Sequence, residues 1–188
     1  MASLAVAPPK LTADQFFARV QGYDGKWELV DGELRMMTGG SVRHALVAGN
    51  IFAALKRQFG NTPCRAFNSD TGLKVNEWEV RYPDVAIYCD PRDLQRNLAQ
   101  ALAFEYPSVV FEVLSPTSLH RDRVVKARAY QTIQSLNLIV IVDADLQQFE
   151  TFERIGPDEW RVHLLERGAT LRVQNPSFEL TSEDVFSL

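Results

Sequence analysis

Apolar positions along this chain fall into two rhythms, and the elements follow from them. A helical period runs through Leu46, Ile51, Phe52, Leu55 and Phe59. It predicts a helix over 41–59, with Ser41 as its N-cap and Gly60-Asn61-Thr62-Pro63 as its stop. Leu11, Phe16, Phe17 and Val20 predict a shorter helix that starts at Thr12 and ends before Gly22-Tyr23-Asp24-Gly25. Between these, residues 26–37 read as two alternating runs joined by Asp31-Gly32, a hairpin signal. Trp27 and Leu29 then share one face of its first strand, and Glu28 and Val30 the other. Three stretches are apolar almost without interruption: 82–88, 109–114 and 137–142. These have the composition of strands buried on both faces.

Weaker signals fill the remainder. Residues 64–67 and 71–75 read as short strands around Asn68-Ser69-Asp70, 77–80 as a turn or irregular edge, and 92–105 as a helical turn or covering loop. Residues 148–153, 160–165 and 170–173 alternate as late strands, and Thr181 opens a terminal helical turn. Ser115-Pro116-Thr117 separates the second apolar run from a helix over 122–130. The sum is an α/β chain with a mixed central sheet flanked by helices and an N-terminal hairpin. Its early hairpin and late strands favour antiparallel pairing, while the helix from Asp122 can cross over between parallel neighbours. Residues 1–10 read as a flexible tail and 11–188 as one domain.

Composition narrows the function. With 188 residues, 46% of them hydrophobic and 23% charged, the chain suits a single folded core. A net charge of -4 gives no global basic signature and argues against tight sequence-independent nucleic-acid binding. It leaves room for a nuclease, whose metal-binding carboxylates lower net charge while local Lys and Arg meet phosphate. The two cysteines, Cys64 and Cys89, form no CxxC motif and are expected to be reduced core thiols. The N-terminus lacks a secretory pattern and no run nears the roughly 18 apolar residues of a membrane span, so a cytoplasmic protein without membrane association is expected.

The candidate chemistry centres on Tyr106 to Tyr130. Glu112 interrupts the run Val109, Val110, Phe111, Val113, Leu114, where an unpaired charge would be costly. Asp84 sits at the start of another apolar strand. If those strands are neighbours, two carboxylates meet in one pocket, and their repulsion calls for a proton or a cation. Oxygen ligands favour Mg²⁺, or Mn²⁺, which activates water and steadies phosphoryl charge. Asp122, Lys126 and Tyr130 lie four residues apart on one helix face. Lys126 could orient or deprotonate the water or offset charge; Asp122 could orient the amine or cap the helix; Tyr130 packs and could reach a polar partner. Arg121, Arg123 and Arg128 with Lys126 form a basic patch, either a solvated face or a guide for phosphate, and Lys74 and Arg81 are secondary candidates. The plainer alternative makes Asp84 a turn cap and Glu112–Lys126 a structural pair.

Tyr82-Pro83-Asp84, the run Glu112-Val113-Leu114-Ser115-Pro116, and Asp122 with Lys126 and Tyr130 together resemble the bacterial Uma-type restriction endonuclease family, a branch of the PD-(D/E)XK nuclease superfamily. The hairpin Trp27 to Glu33 followed by helical His44 is similar to that family's N-terminal pattern, so the resemblance runs from about residue 26 to the last strand. It implies a restriction-endonuclease-like core, with Asp84 and Glu112 as metal-binding acids and the Val113 carbonyl as a further ligand. The superfamily lysine normally lies two residues after the second acid; here that position is Leu114. In this branch the lysine has moved to the following helix, which maps it to Lys126. Glu28 maps to an additional acid that completes the metal shell, positions water or holds Lys126, against a plain reading as an exposed hairpin glutamate. His44 would contact phosphate or support Glu28, or be a surface or packing residue.

The function implied is a metal-dependent endonuclease acting on nucleic acid, DNA before RNA, with a homodimer compatible with duplex cleavage. Two alternatives remain: a catalytically inactive nuclease-fold module that binds nucleic acid or protein, and an acid–lysine network organising a different α/β fold. No base-reading motif is evident.

Overall fold

The computed structural model describes residues 10–37, 39–114 and 121–187, with the helix backbone alone given for 121–123. The tail expected over 1–10 and the Ser115-Pro116-Thr117 turn therefore lie outside the described residues, except for Lys10. The chain opens with α1 (Ala13–Val20), whose N-terminus is a capping box. Thr12 Oγ1 accepts the Gln15 N–H at 3.3 Å while Gln15 Oε1 accepts the Thr12 N–H at 2.9 Å. The hairpin follows as β1 (Trp27–Val30) and β2 (Glu33–Met36). Asp31 and Gly32 both take positive φ, 51° and 78°, which is what a tight right-twisting hairpin turn requires.

α2 (Val42–Phe59) starts at Ser41, whose hydroxyl accepts the His44 N–H. After it come β3 (Arg65–Asn68), β4 (Gly72–Asn76), β5 (Glu79–Arg81) and β6 (Val85–Tyr88). The short α3 (Pro91–Leu94), β7 (Ala103–Phe104), β8 (Pro107–Val113), α4 (Arg121–Gln131) and β9 (Leu138–Asp143) lead into β10 (Gln148–Arg154) and β11 (Trp160–Leu165). A ribbon of β12 (Leu171–Gln174) and β13 (Ser177–Leu180) precedes α5 (Ser182–Phe186).

The expected mixed sheet is six-stranded, in the order β11-β10-β9-β8-β6-β3. Its one parallel pair is β8–β9, bridged by α4, as the crossover pattern predicted. A second sheet, β2-β1-β5-β4-β7, was not foreseen as a unit. Residues 77–78 form the expected turn, but 79–81 are no irregular edge: they pair as β5 with both β1 and β4. Three residues, two of them charged, carry almost no period, so tertiary pairing decides their state.

Two buried clusters line opposite faces of the six-stranded sheet. Val109, Phe111 and Val113 face Val47, Ile51 and Leu55 of α2, with Phe178 and Val185 closing that side. Val110, Ile139 and Ile141 face Tyr130 and Ile133, near Leu73 and Phe104 of the second sheet. The alternation of β8 therefore turns Glu112 toward α4. Arg154, on β10, pins the far end of that helix: its guanidinium donates to the carbonyls of Gln131, Ile133 and Leu136 at 2.8–3.0 Å. Gln131 ends the helix and the other two lie in the loop that follows, so one cation ties the helix end and its exit to β10.

The cysteines require a correction. Cys64 and Cys89 are disulfide-bonded rather than reduced, with Cα atoms 4.1 Å apart. Arg65 pairs with Tyr88, and continuing that antiparallel register one residue sets the cysteines opposite each other. Spacing along the chain carried no sign of this, because it follows from strand pairing.

Candidate active site

The acids meet because β6 and β8 are neighbours, with Val85 opposite Phe111. Asp84 precedes β6 and accepts the Val113 N–H on Oδ2 at 2.7 Å. The same oxygen stands 3.2 Å from His44 Nε2. That contact raises the His44 pKa, against an opposing effect of burial. The imidazole fits there because residue 40 is glycine: a Cβ on it would lie 2.6 Å from His44 Nδ1. His44 thus meets Asp84 rather than the expected Glu28.

Glu112 is 7% exposed and held on both oxygens. Tyr130 Oη donates to Oε1 at 2.5 Å, and Lys126 Nζ to Oε2 at 2.9 Å. Burial pushes the Glu112 pKa up; Lys126 counters it and Asp84 adds to it, leaving a net rise. Burial disfavours the Lys126 ammonium, yet Glu112 and Glu28 outweigh it and keep the lysine charged well above its ordinary range. Lys126 reaches the acids although Leu114 fills the usual lysine position, because residues 126 and 130 sit one turn apart on the face of α4 that overlies Glu112.

Glu28 reaches the same place from the second sheet. It is 7% exposed, so the exposed-hairpin reading does not hold. Its Oε1 lies 3.9 Å from Lys126 Nζ and accepts the Tyr82 N–H at 3.3 Å. Its Oε2 accepts from Arg81 Nη1 at 3.2 Å. Arg81 is itself buried, and its Nε donates to Glu79 Oε1 at 2.8 Å. Nη2 comes within 2.6 Å of that oxygen without hydrogen-bond geometry. Burial would lower the Arg81 pKa, but the two glutamates hold it charged. Arg81 was only a secondary candidate in the sequence and Glu79 none. The signal lay in cross-strand register: Leu29 pairs with Val80, which puts Glu28 opposite Arg81.

The remaining candidates divide. Tyr130 joins the site through its hydroxyl and is fully buried. The side chains of Arg121, Asp122 and Arg123 lie outside the described residues. Arg128 is exposed, and Lys74 lies 4.0 Å from Asp14 rather than at the acids.

Could these residues hold a divalent cation? Four carboxylates, Glu28, Glu79, Asp84 and Glu112, face two permanent cations, Arg81 and Lys126, which leaves uncompensated negative charge. Val113 adds an oxygen. Its N–H points toward Asp84, so its carbonyl points to the same side. Extending the β6–β8 register by two residues places Pro83 opposite, and proline has no N–H to offer that carbonyl. The donor set is oxygen throughout and fits a hard cation. Among the described residues no three His, Cys, Asp or Glu side chains form a ready-made metal cluster.

A family model described as "Uma2: Putative restriction endonuclease" matches residues 13–183. The chain belongs to the Uma2 family. Two uncharacterized proteins of Synechocystis are similar to it. One, slr1290, is 28% identical over 82% of this chain and 80% of its own length. The other, sll1609, is 28% identical over 84% of this chain and 89% of its own. Among solved structures, one from Anabaena variabilis described as "a putative nuclease belonging to DUF820" superposes with a TM-score of 0.76. That match covers 96% of this chain and 98% of the other at 15% identity, a likeness of fold. The restriction-endonuclease-like core expected of Uma2 proteins is thus the fold of this chain.

Proposed function

We propose that this Uma2 protein is a metal-dependent endonuclease that hydrolyses phosphodiester bonds, with DNA as its substrate. The observation that carries this reading is the convergence of Asp84, Glu112 and Lys126 at the end of neighbouring strands, with Lys126 2.9 Å from Glu112. The family description and the fold likeness support it.

Asp84, Glu112 and the Val113 carbonyl would hold Mg²⁺, or Mn²⁺. Bound there, such an ion supplies Lewis acidity toward a phosphoryl oxygen and a water of lowered pKa. The chain's own groups then have separate tasks. Lys126, 2.9 Å from Glu112, is placed to orient the attacking water or to offset developing phosphoryl charge. Tyr130 and Lys126 fix the Glu112 carboxylate. The Val113 N–H and His44 fix Asp84. Arg81 fixes Glu28 beside the lysine. Cytoplasmic residence and a homodimer that sets two sites on one duplex belong to the same proposal; no described helix is long and apolar enough to cross a membrane.

The test is incubation of purified protein with linear, supercoiled and single-stranded DNA and with RNA, in Mg²⁺ or Mn²⁺. Cleavage lost in Asp84→Ala and Lys126→Ala supports the reading; cleavage preserved in both variants rejects the site. A second reading, an inactive nuclease-fold binding module, draws on the closed Lys126–Glu112 ion pair and the net charge of -4. Saturable nucleic-acid or protein binding without turnover or divalent-metal binding would select it.

A further inference from the structure

The two glutamates that flank Lys126 are both anchored from their far sides. Glu112 accepts the hydroxyl of Tyr130, which is fully buried against the sheet. Glu28 accepts the Tyr82 main-chain N–H and the guanidinium of Arg81, itself 4% exposed. Among the described residues Lys126 has no comparable anchor: its ammonium ends a flexible four-carbon stem, 2.9 Å from Glu112 Oε2 and 3.9 Å from Glu28 Oε1. A cation that shares two fixed acceptors can move between them without disturbing either.

We infer that Lys126 is an internal counter-ion that competes with the divalent cation for Glu112, and that Glu28 is a positioning residue that receives the ammonium when the cation binds. This rests on the metal-dependent reading above and adds to it a division of labour between the two glutamates. With the site empty of metal, Lys126 neutralises Glu112, whose burial beside Asp84 would otherwise leave two unbalanced carboxylates together. A second positive centre at Asp84 and Glu112 repels the ammonium, and Glu28 offers it a prepared place. Arg81 keeps that place open by holding Glu28 at Oε2 and leaving Oε1 turned to the lysine. Glu28 therefore acts on metal affinity through Lys126 rather than by coordination.

The test is calorimetric titration of MnCl₂ into four full-length proteins: wild type, Glu28→Gln, Lys126→Met and the double variant. Lys126→Met is expected to bind Mn²⁺ about tenfold more tightly than wild type, and Glu28→Gln about tenfold more weakly. In the Lys126→Met background Glu28→Gln is expected to have little further effect, because the group it served is gone. Equal effects of Glu28→Gln in both backgrounds would overturn the inference and make Glu28 a ligand or a bulk charge, while leaving the metal reading intact. Absence of binding in all four would overturn the metal reading and this inference with it. Binding in Lys126→Met alone would support the competition directly. Should a variant fail to fold, a wild-type crystal soaked in MnCl₂ decides: Lys126 Nζ nearer Glu28 than Glu112 supports the exchange, and an unmoved Lys126 beside a bound ion rejects it.

Discussion

Arg81 and Glu28 face each other across β5 and β1, 3.2 Å apart and 53 residues distant in sequence, with both side chains out of solvent. A pair so placed adds little net stability over an apolar one, but removing one partner strands a buried charge. Arg81→Gln would leave Glu79 without its cation and Glu28 with only Lys126, 3.9 Å away. The expected loss is about 3–5 kcal/mol, read as a lower urea midpoint with an unchanged slope. A loss below about 1 kcal/mol would mean that water reaches these carboxylates.

Asp84→Asn keeps an oxygen for the Val113 N–H and so preserves the local ladder. It removes the charge, and nuclease activity is expected to fall by at least about a hundredfold with the circular dichroism spectrum unaltered. Activity within threefold of wild type would relocate the chemistry away from Asp84.

Reduction of the Cys64–Cys89 bond releases a constraint that spans 25 residues. Loop-closure entropy puts the cost at about 3.5 kcal/mol, visible as a lower denaturation midpoint in dithiothreitol than without it. Cys64→Ser in oxidising buffer should match the reduced wild type; a midpoint insensitive to reductant would show that the β3–β6 pairing suffices alone.

Acid should loosen the C-terminal helix before the sheet. Asp184 accepts from the Thr181 hydroxyl at 2.6 Å and from its N–H at 3.0 Å, and these bonds hold its pKa below the usual carboxylate range. A lowered folded-state value means that the cap contributes fully above about pH 4 and is lost as pH falls through that value. Protection against hydrogen exchange, relative to the intrinsic rate at each pH, is expected to fall at α5 on acidification ahead of β8 and β9, and Asp184→Asn should abolish the difference in onset.

The central strands, the long helix and the hairpin were readable because their patterns are long and their burial is one-sided or complete. Asp84 and Glu112 stood out as charges in apolar company, and Lys126 by its helical spacing with Asp122 and Tyr130. The second sheet did not, since β5 and β7 are two or three residues long and exist through their neighbours. The same holds for the site's outer members. Glu79 and Arg81 look like ordinary surface charges until register sets Arg81 against Glu28. His44 gains its meaning from a helix and a strand end far apart in sequence, and the cysteines from a register between β3 and β6.

Pro83 gives the site a property that no acid or base in it supplies. A strand pair usually closes like a zip until a turn ends it, and here the tooth opposite Val113 is missing. The seam between β6 and β8 must stop one step short of the loop, in every member of the ensemble and at any pH. The Val113 carbonyl is thus denied a ladder partner from β6 by the covalent structure of one residue. Pro83→Ala would restore the tooth by supplying the N–H that this carbonyl lacks.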